Sequence, residues 1–496
     1  MISVLNPVNH NTVDGKELSL FQDLNIDQII DFIAQDWGDE TKELFYQLPG
    51  DYENEKYRKD FYGELLSLDL TDVFDEYLKL MQFRSICAKN ADEVEEKLQK
   101  QIWFLRETDA YVTAIEKLSA ALSDKDFSSE AFLLLKGKLR EYKSSTHYGD
   151  LLEACRKYMA KLKGFRLTLD YENDRITLSE SKGKYEYENQ LKELFPKSDY
   201  AIKSPFVSDL NMSYLENRVI DMFKKKNKDF FLDISAYNKV FKDYLDETFL
   251  LLGKEIKYYL SFYKFMKKME AKNFSFCRST LDRSNINAEG LYDLALACLS
   301  LESGKEVVDN DINMFEGEKF LILTGPNQGG KTTFARSLGQ LVYFSKMGLY
   351  VPAKAASLPS FESILTHFSV EESVESGKGK LMDELSRLKP MMEDTKSSAF
   401  VVINELFTTA ANYDAVEMGK KVLQFFTAKD CRGIYVTHLG ELSSCCEGLV
   451  SMRALLDEGK KQTFKVARGD YEDFTGPNGL VEKYGLSYEK IMDRLA

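Results

Sequence analysis

The chain has 496 residues, too many for one ordinary core, and the soft prior of about 150 residues per domain suggests roughly three units. With 66 Lys plus Arg against 80 Asp plus Glu the formal charge is -14, so no whole-molecule field draws in nucleic acid or an anionic membrane, and any polyanion requires a local basic patch. Seven scattered cysteines without C-x-x-C spacing argue against a disulfide framework and a zinc site, and no apolar run of about 18 residues argues for a membrane span, so a cytoplasmic protein is expected.

From about residue 16 to 165 the sequence is charged, poor in proline and helically periodic. Val94, Leu98, Ile102, Leu105, Val112, Ile115, Leu118 and Leu122 recur at helical spacing and predict one apolar stripe along a long helix. The period then changes to two: Phe165, Leu167 and Leu169 alternate with polar residues, as do Ile176 and Leu178 beyond Asn173-Asp174, which predicts a β-hairpin. The span 183–230 is rich in lysine and aromatics, and its cluster Lys224, Lys225, Lys226, Lys228 reads best as a solvated helix face. Ser235 to Lys272 contains no proline or central breaker and predicts one long helix suited to a lever. From about 300 to 496 short aliphatic runs (FLILT, AFVVIN, GIYVTH) alternate with helical segments, the pattern of a parallel α/β sheet.

Within that last part Gly325, Pro326, Asn327, Gln328, Gly329, Gly330, Lys331 and Thr332 fit G-x-x-x-x-G-K-[ST] in full, after a strand and before a helix. Glycines let backbone N–H groups turn toward phosphate oxygens, and the helix N-terminus adds its dipole. Lys331 is expected to reach the β and γ phosphates of ATP, and Thr332 to present its hydroxyl to Mg²⁺. The run VVINELF places Glu405 where a carboxylate would polarise the attacking water, while Asn404 brings no negative charge and would meet Mg²⁺ through water. His438, just past GIYVT, is placed to sense the γ phosphate or that water.

TGPNQGGKTT, GLYVPA, ILTHFSVEESVESGKGKLMDEL, VVINELFTTAANYD and YVTHLGEL, in this order and at these intervals, resemble the ATPase domain of the MutS family, DNA mismatch-repair ATPases of the ABC type. ELFYQLPGDYENEKYRKDFYGELL and AEGLYDLALA resemble the opening of the family's core and the approach to its ATPase domain. The resemblance implies a multidomain α and α/β fold. A helical core/lever region over 1–300 carries a small β-hairpin insertion, with a short clamp element at 165–230, and a C-terminal ABC-type P-loop α/β ATPase domain follows over 301–496. It also implies that the mismatch-recognition and connector domains are missing. The implied phosphate loop runs from Gly325 through Thr333, with Lys331, Glu405 and His438 catalytic. The implied signature loop spans Ser376, Gly377, Lys378, Gly379 and Lys380, Gly379-Lys380 replacing the usual serine-threonine pair. Ile312 is expected beneath the adenine and Phe464 above it.

The implied function is that of a homodimer which binds and slowly hydrolyses ATP with Mg²⁺ at its interface and couples this to mismatched, branched or distorted DNA, without membrane attachment. The alternative is a nucleotide-latched clamp with little turnover, acting on RNA, ribosomes or a protein.

Overall fold

The computed structural model describes residues 2–7, 12–14, 18–165, 167–172, 175–180, 214–369, 379–393, 395, 397–458, 461–470 and 491–492. Contacts divide the chain into two units, not three: one built on Asp69–Ser128 and Phe132–Gly253, the other on Ser3–Leu68, Ser129–Ala131 and Lys254–Ala496. Residues 181–213, which take in much of the lysine- and aromatic-rich span 183–230, the hairpin turn 173–174 and the signature-loop residues Ser376, Gly377 and Lys378 lie outside the described residues.

The first unit is helical. Thr71–Glu93 and Lys97–Ser123 are joined by three residues, and Leu98, Leu105, Val112, Ile115, Leu118 and Leu122 of the predicted stripe are buried, while Val94 caps the preceding helix. The hairpin forms as predicted, Leu167–Glu172 against Arg175–Glu180 with Leu169 opposite Leu178. The single helix predicted over 235–272 does not form. It is two helices, Lys228–Val240 and Glu247–Glu270.

Tertiary hydrogen bonds make that break where no proline or glycine does. The Tyr244 hydroxyl donates to the buried carboxylate of Glu107 (2.7 Å), and the Asp246 carboxylate accepts from the Thr248 N–H (2.8 Å) and pairs with Lys138 (3.2 Å). The Asp246 N–H turns to the Tyr111 hydroxyl at 3.3 Å. Each bond gives a backbone or side-chain polar group a partner that continued helix would not.

The second unit holds two larger sheets and the small pair Thr12–Asp14 with Gln47–Pro49. Among its elements, labelled in chain order, are α1 (Leu20–Asp23), β1 (Thr280–Leu281), β2 (Ile286–Leu291), α2 (Leu294–Ser303), β3 (Asn310–Met314), β4 (Phe320–Thr324) and α3 (Lys331–Lys346). There follow β5 (Ala355–Leu358), β6 (Ile364–Phe368), α4 (Lys380–Glu393), β7 (Phe400–Asn404), α5 (Asn412–Ala428), β8 (Arg432–Val436), β9 (Leu449–Leu456) and β10 (Gln462–Arg468). Six strands run in the order β6-β7-β8-β4-β9-β10, parallel except for β10, and four form β1-β5-β2-β3.

β4 and β7 are buried at every residue, as strands covered on both faces must be. Phe320, Ile322, Val401, Ile403 and Tyr435 pack on one face with Leu423 and Phe426 of α5 and Leu388 of α4. Their alternating neighbours face the other side, toward α3.

A boundary near residue 300 cuts through this unit, because Ser3–Leu68 and β2 belong to it. Tyr343 on α3 donates its hydroxyl to the Phe45 carbonyl (2.6 Å), and Gln340 Nε2 donates to that of Leu24 (2.9 Å). Among the described residues no helix is long and apolar enough to cross a membrane.

Candidate nucleotide-binding site

Parallel pairing brings the candidate residues together. In the adjacent strands β7, β8 and β4, Asn404 lies beside Val436 and Val436 beside Leu323, so the residues following each strand emerge at one carboxyl edge. That edge carries Gly325, Glu405 and His438. The Glu405 N–H donates to the Val436 carbonyl and the Thr437 N–H to that of Leu323, both at 3.0 Å.

The loop after β4 depends on glycine at two points. Gly325 has φ +144°, and a Cβ there would lie 2.8 Å from Cβ of Ala454. Gly330, at φ +87°, caps α3, whose first turn points its N–H groups out of the loop. Lys331 is 4% exposed, and its ammonium donates to the carbonyls of Gly325 (2.9 Å) and Pro326 (3.0 Å). Burial lowers the Lys331 pKa, and the negative charge of Glu405 opposes that shift. A lysine held at the mouth of a loop by neutral carbonyls is ready to exchange them for phosphate oxygens.

Beside it the Thr332 hydroxyl donates to Oδ1 of Asn404 (3.1 Å), which joins the start of α3 to the end of β7. Glu405 adopts a left-handed φ of +58° directly after the strand, a conformation costing roughly 1–2 kcal/mol for a residue with a Cβ. Its Oε1 accepts from Nε2–H of His438 at 2.9 Å. Phe407, also left-handed, is held by its N–H donating to buried Glu384 (3.0 Å). Left-handed backbone recurs around the cavity at Gln328 (φ +62°) and Phe464 (φ +59°), so the strain sits on several of its walls.

These residues line a cavity of about 310 Å³. Asn327, Gln328, Gly329, Gly330, Lys331, Thr332, Thr333 and Glu405 border it, with Phe464 on one wall and Tyr292, Asp293 and Val308 on others. Gly325, Pro326, Asn404 and His438 support it from behind without bordering it. Ile312 is buried opposite Ala288 in the smaller sheet and does not line it. Gly379, just before α4, does not line it either, and Lys380 is the first residue of α4.

Sequence reasoning missed Gln462, whose amide donates to the Asn327 carbonyl (2.9 Å), and Asn310, which receives the Val466 N–H (2.8 Å) and donates to the Phe464 carbonyl (3.2 Å). No local pattern marks either. Asp293, immediately before the apolar run LALACL, carried a legible helix-cap signal.

The donor set fits a nucleoside triphosphate: a glycine-dependent loop, a buried lysine and a helix N-terminus. Among the described residues no three His, Cys, Asp or Glu lie close enough to hold a metal ion on their own. Thr332 and Asn404 would therefore hold Mg²⁺ only together with phosphate oxygens.

The family model for MutS domain V matches residues 321–467, the stretch from β4 to β10. The chain is 28% identical over 205 residues to the DNA mismatch repair protein MutS of Lactobacillus delbrueckii subsp. bulgaricus, covering 41% of this chain and 23% of that protein. It is 28% identical over 180 residues to that of Leuconostoc mesenteroides, covering 36% and 21%. With the Prochlorococcus marinus protein of the same name the figures are 31% over 198 residues, 38% and 21%. The matched stretch spans less than a quarter of each of these relatives. Placed beside the phosphate loop, the Thr332–Asn404 contact and the Glu405–His438 pair, the match makes residues 321–467 of this chain similar to domain V of the MutS family.

Proposed function

We propose that this chain binds and hydrolyses ATP and couples the cycle to a DNA partner, the partner being suggested by the name of the similar proteins, DNA mismatch repair protein MutS. The observation that carries the reading is the placement of Glu405, hydrogen-bonded to His438 at 2.9 Å, on the rim of the cavity lined by Lys331 and Thr332. Lys331 neutralises phosphate charge, Glu405 accepts a proton from the attacking water, and His438 holds the carboxylate in place. Mg²⁺, when bound, supplies Lewis-acid charge neutralisation at the phosphates.

Two such chains acting as a cytoplasmic homodimer would complete each site with Gly379 and Lys380 from the partner; within one chain Gly379 does not border the cavity. With a net charge of -14, DNA contact belongs to local patches and to duplex shape.

One observation favours the second reading, a latch with little turnover: the acceptor facing Thr332 is the neutral amide of Asn404. Steady-state ATP hydrolysis by wild type and Glu405→Gln separates the two. Turnover lost in the variant supports the enzyme, and equal slow rates support the latch. Salt-dependent binding to duplex, branched DNA and structured RNA tests the partner, and preference for RNA would overturn the DNA reading.

A further inference from the structure

We propose that Asp293 selects the base of the bound nucleotide by accepting a hydrogen bond from the exocyclic amine of adenine. This rests on the nucleotide reading above and goes beyond it to a residue acting at the end of the cavity far from the phosphates.

Asp293 is 4% exposed and lines the cavity. Its Oδ1 is saturated: it accepts from the N–H groups of Ala295 (2.9 Å) and Leu296 (3.2 Å) at the start of α2, and from Nε2 of Gln340 (2.9 Å). Its Oδ2 meets no donor among the described residues, and no lysine or arginine among them forms an ion pair with it. Burial accordingly pushes its pKa up, opposed first by the Gln340 hydrogen bond. The charge of Arg336 also opposes the shift, although this guanidinium forms no ion pair with Asp293 and its Nε donates to the Asp23 carbonyl at 2.9 Å.

A helix cap explains Oδ1 and leaves the rest over. Serine or asparagine caps about as well as aspartate and carries no charge into the interior. A largely buried carboxylate whose second oxygen has no protein donor and opens onto the cavity is placed to accept from a donor that enters there.

The position suits a base. Gln340, which holds Asp293, is nine residues beyond Lys331 on α3, about 13 Å along the helix axis. Between them Phe334 and Ser337 line the same cavity, and Leu291 and Leu296 add apolar lining beside Asp293. Phosphates at Lys331 thus direct the base toward a hydrophobic slot with a single strong acceptor. Adenine presents an amine at C6. Hypoxanthine presents an oxygen there, which would face the carboxylate with lone pairs alone.

The test uses the full chain and measures displacement of a fluorescent ATP analogue by ATP, ITP and GTP. ATP and ITP differ at position 6, so their affinity ratio reads this contact. Wild type should bind ATP at least about tenfold more tightly than ITP. Asp293→Asn retains the capping oxygen and replaces the cavity-side oxygen with an amide, and Asp293→Ser caps α2 with a hydroxyl. Both should bring the ratio to within about threefold while phosphate-dependent binding persists. Equal affinities in wild type, a ratio preserved in both variants, or GTP as the tightest ligand would each overturn the assignment to adenine. Failure of wild type to bind any triphosphate would instead overturn the nucleotide reading on which it rests.

Discussion

Nε2 of His438 lies 2.9 Å from Oε1 of Glu405, and the two residues extend from neighbouring parallel strands. The histidine thus fixes a carboxylate whose own backbone is held left-handed. Glu405→Gln should lower ATP turnover by about 100-fold or more while leaving nucleotide affinity nearly unchanged, because the base acts only as water attacks. His438→Ala should lower turnover by less, about tenfold, and the double variant should fall short of the product of the two. Single-turnover hydrolysis alongside equilibrium binding checks both.

At the metal end, Thr332 donates to Asn404, an amide without charge. Asn404→Asp would set a carboxylate beside the Thr332 hydroxyl. The Mg²⁺ concentration giving half-maximal hydrolysis should then drop by about tenfold. A magnesium titration of the two proteins is decisive, and an unmoved midpoint would show that position 404 does not communicate with the metal.

Gly325→Ala meets two obstacles, a backbone at φ +144° and Ala454 Cβ 2.8 Å away. The loop must shift, so nucleotide affinity should fall by at least about tenfold and stability by about 1–3 kcal/mol. A thermal melt with and without ATP separates these effects: the variant should lose the ligand-induced rise in Tm.

His367 on β6 is 1% exposed, and burial, aided by the positive charge of Arg387, lowers its pKa to about 4. Between about pH 4 and 6.5 the unfolded chain therefore binds a proton that the folded chain refuses, so stability rises with pH across this window and is lost on acidification. The full effect is about 3 kcal/mol. Urea unfolding of wild type and His367→Gln from pH 4 to 7 should show a shallower pH slope in the variant. Parallel slopes would mean that other groups carry the acid sensitivity.

The strand, loop and helix around Lys331 were legible because their determinants are local: five consecutive apolar residues, glycines at fixed spacing, and a helical period afterwards. The hairpin at Leu169 and Leu178 was legible for the same reason. The helix break between Val240 and Glu247 was not, since bonds to Glu107, Tyr111 and Lys138, distant in sequence, impose it on residues willing to stay helical. Nor was the membership of residues 3–68 in the second unit. Buried Arg58 donates to the carbonyls of Leu5 (2.9 Å) and Gln47 (3.0 Å), and Glu255 accepts from the Ser3 hydroxyl (2.6 Å), pairings that no periodicity announces.

The interval of 298 positions between Phe45 and its hydrogen-bond partner Tyr343 sets a timetable for synthesis. At about 5–20 residues per second, a ribosome needs roughly 15–60 s to deliver Tyr343 after Phe45 has been made. Throughout that delay the apolar faces of residues 20–65 have no α3 to cover them, while the helices of the first unit, all made before Tyr343, can already close. Residues 20–65 are therefore made well before the helix that covers them, and until it arrives their apolar faces are open to a chaperone.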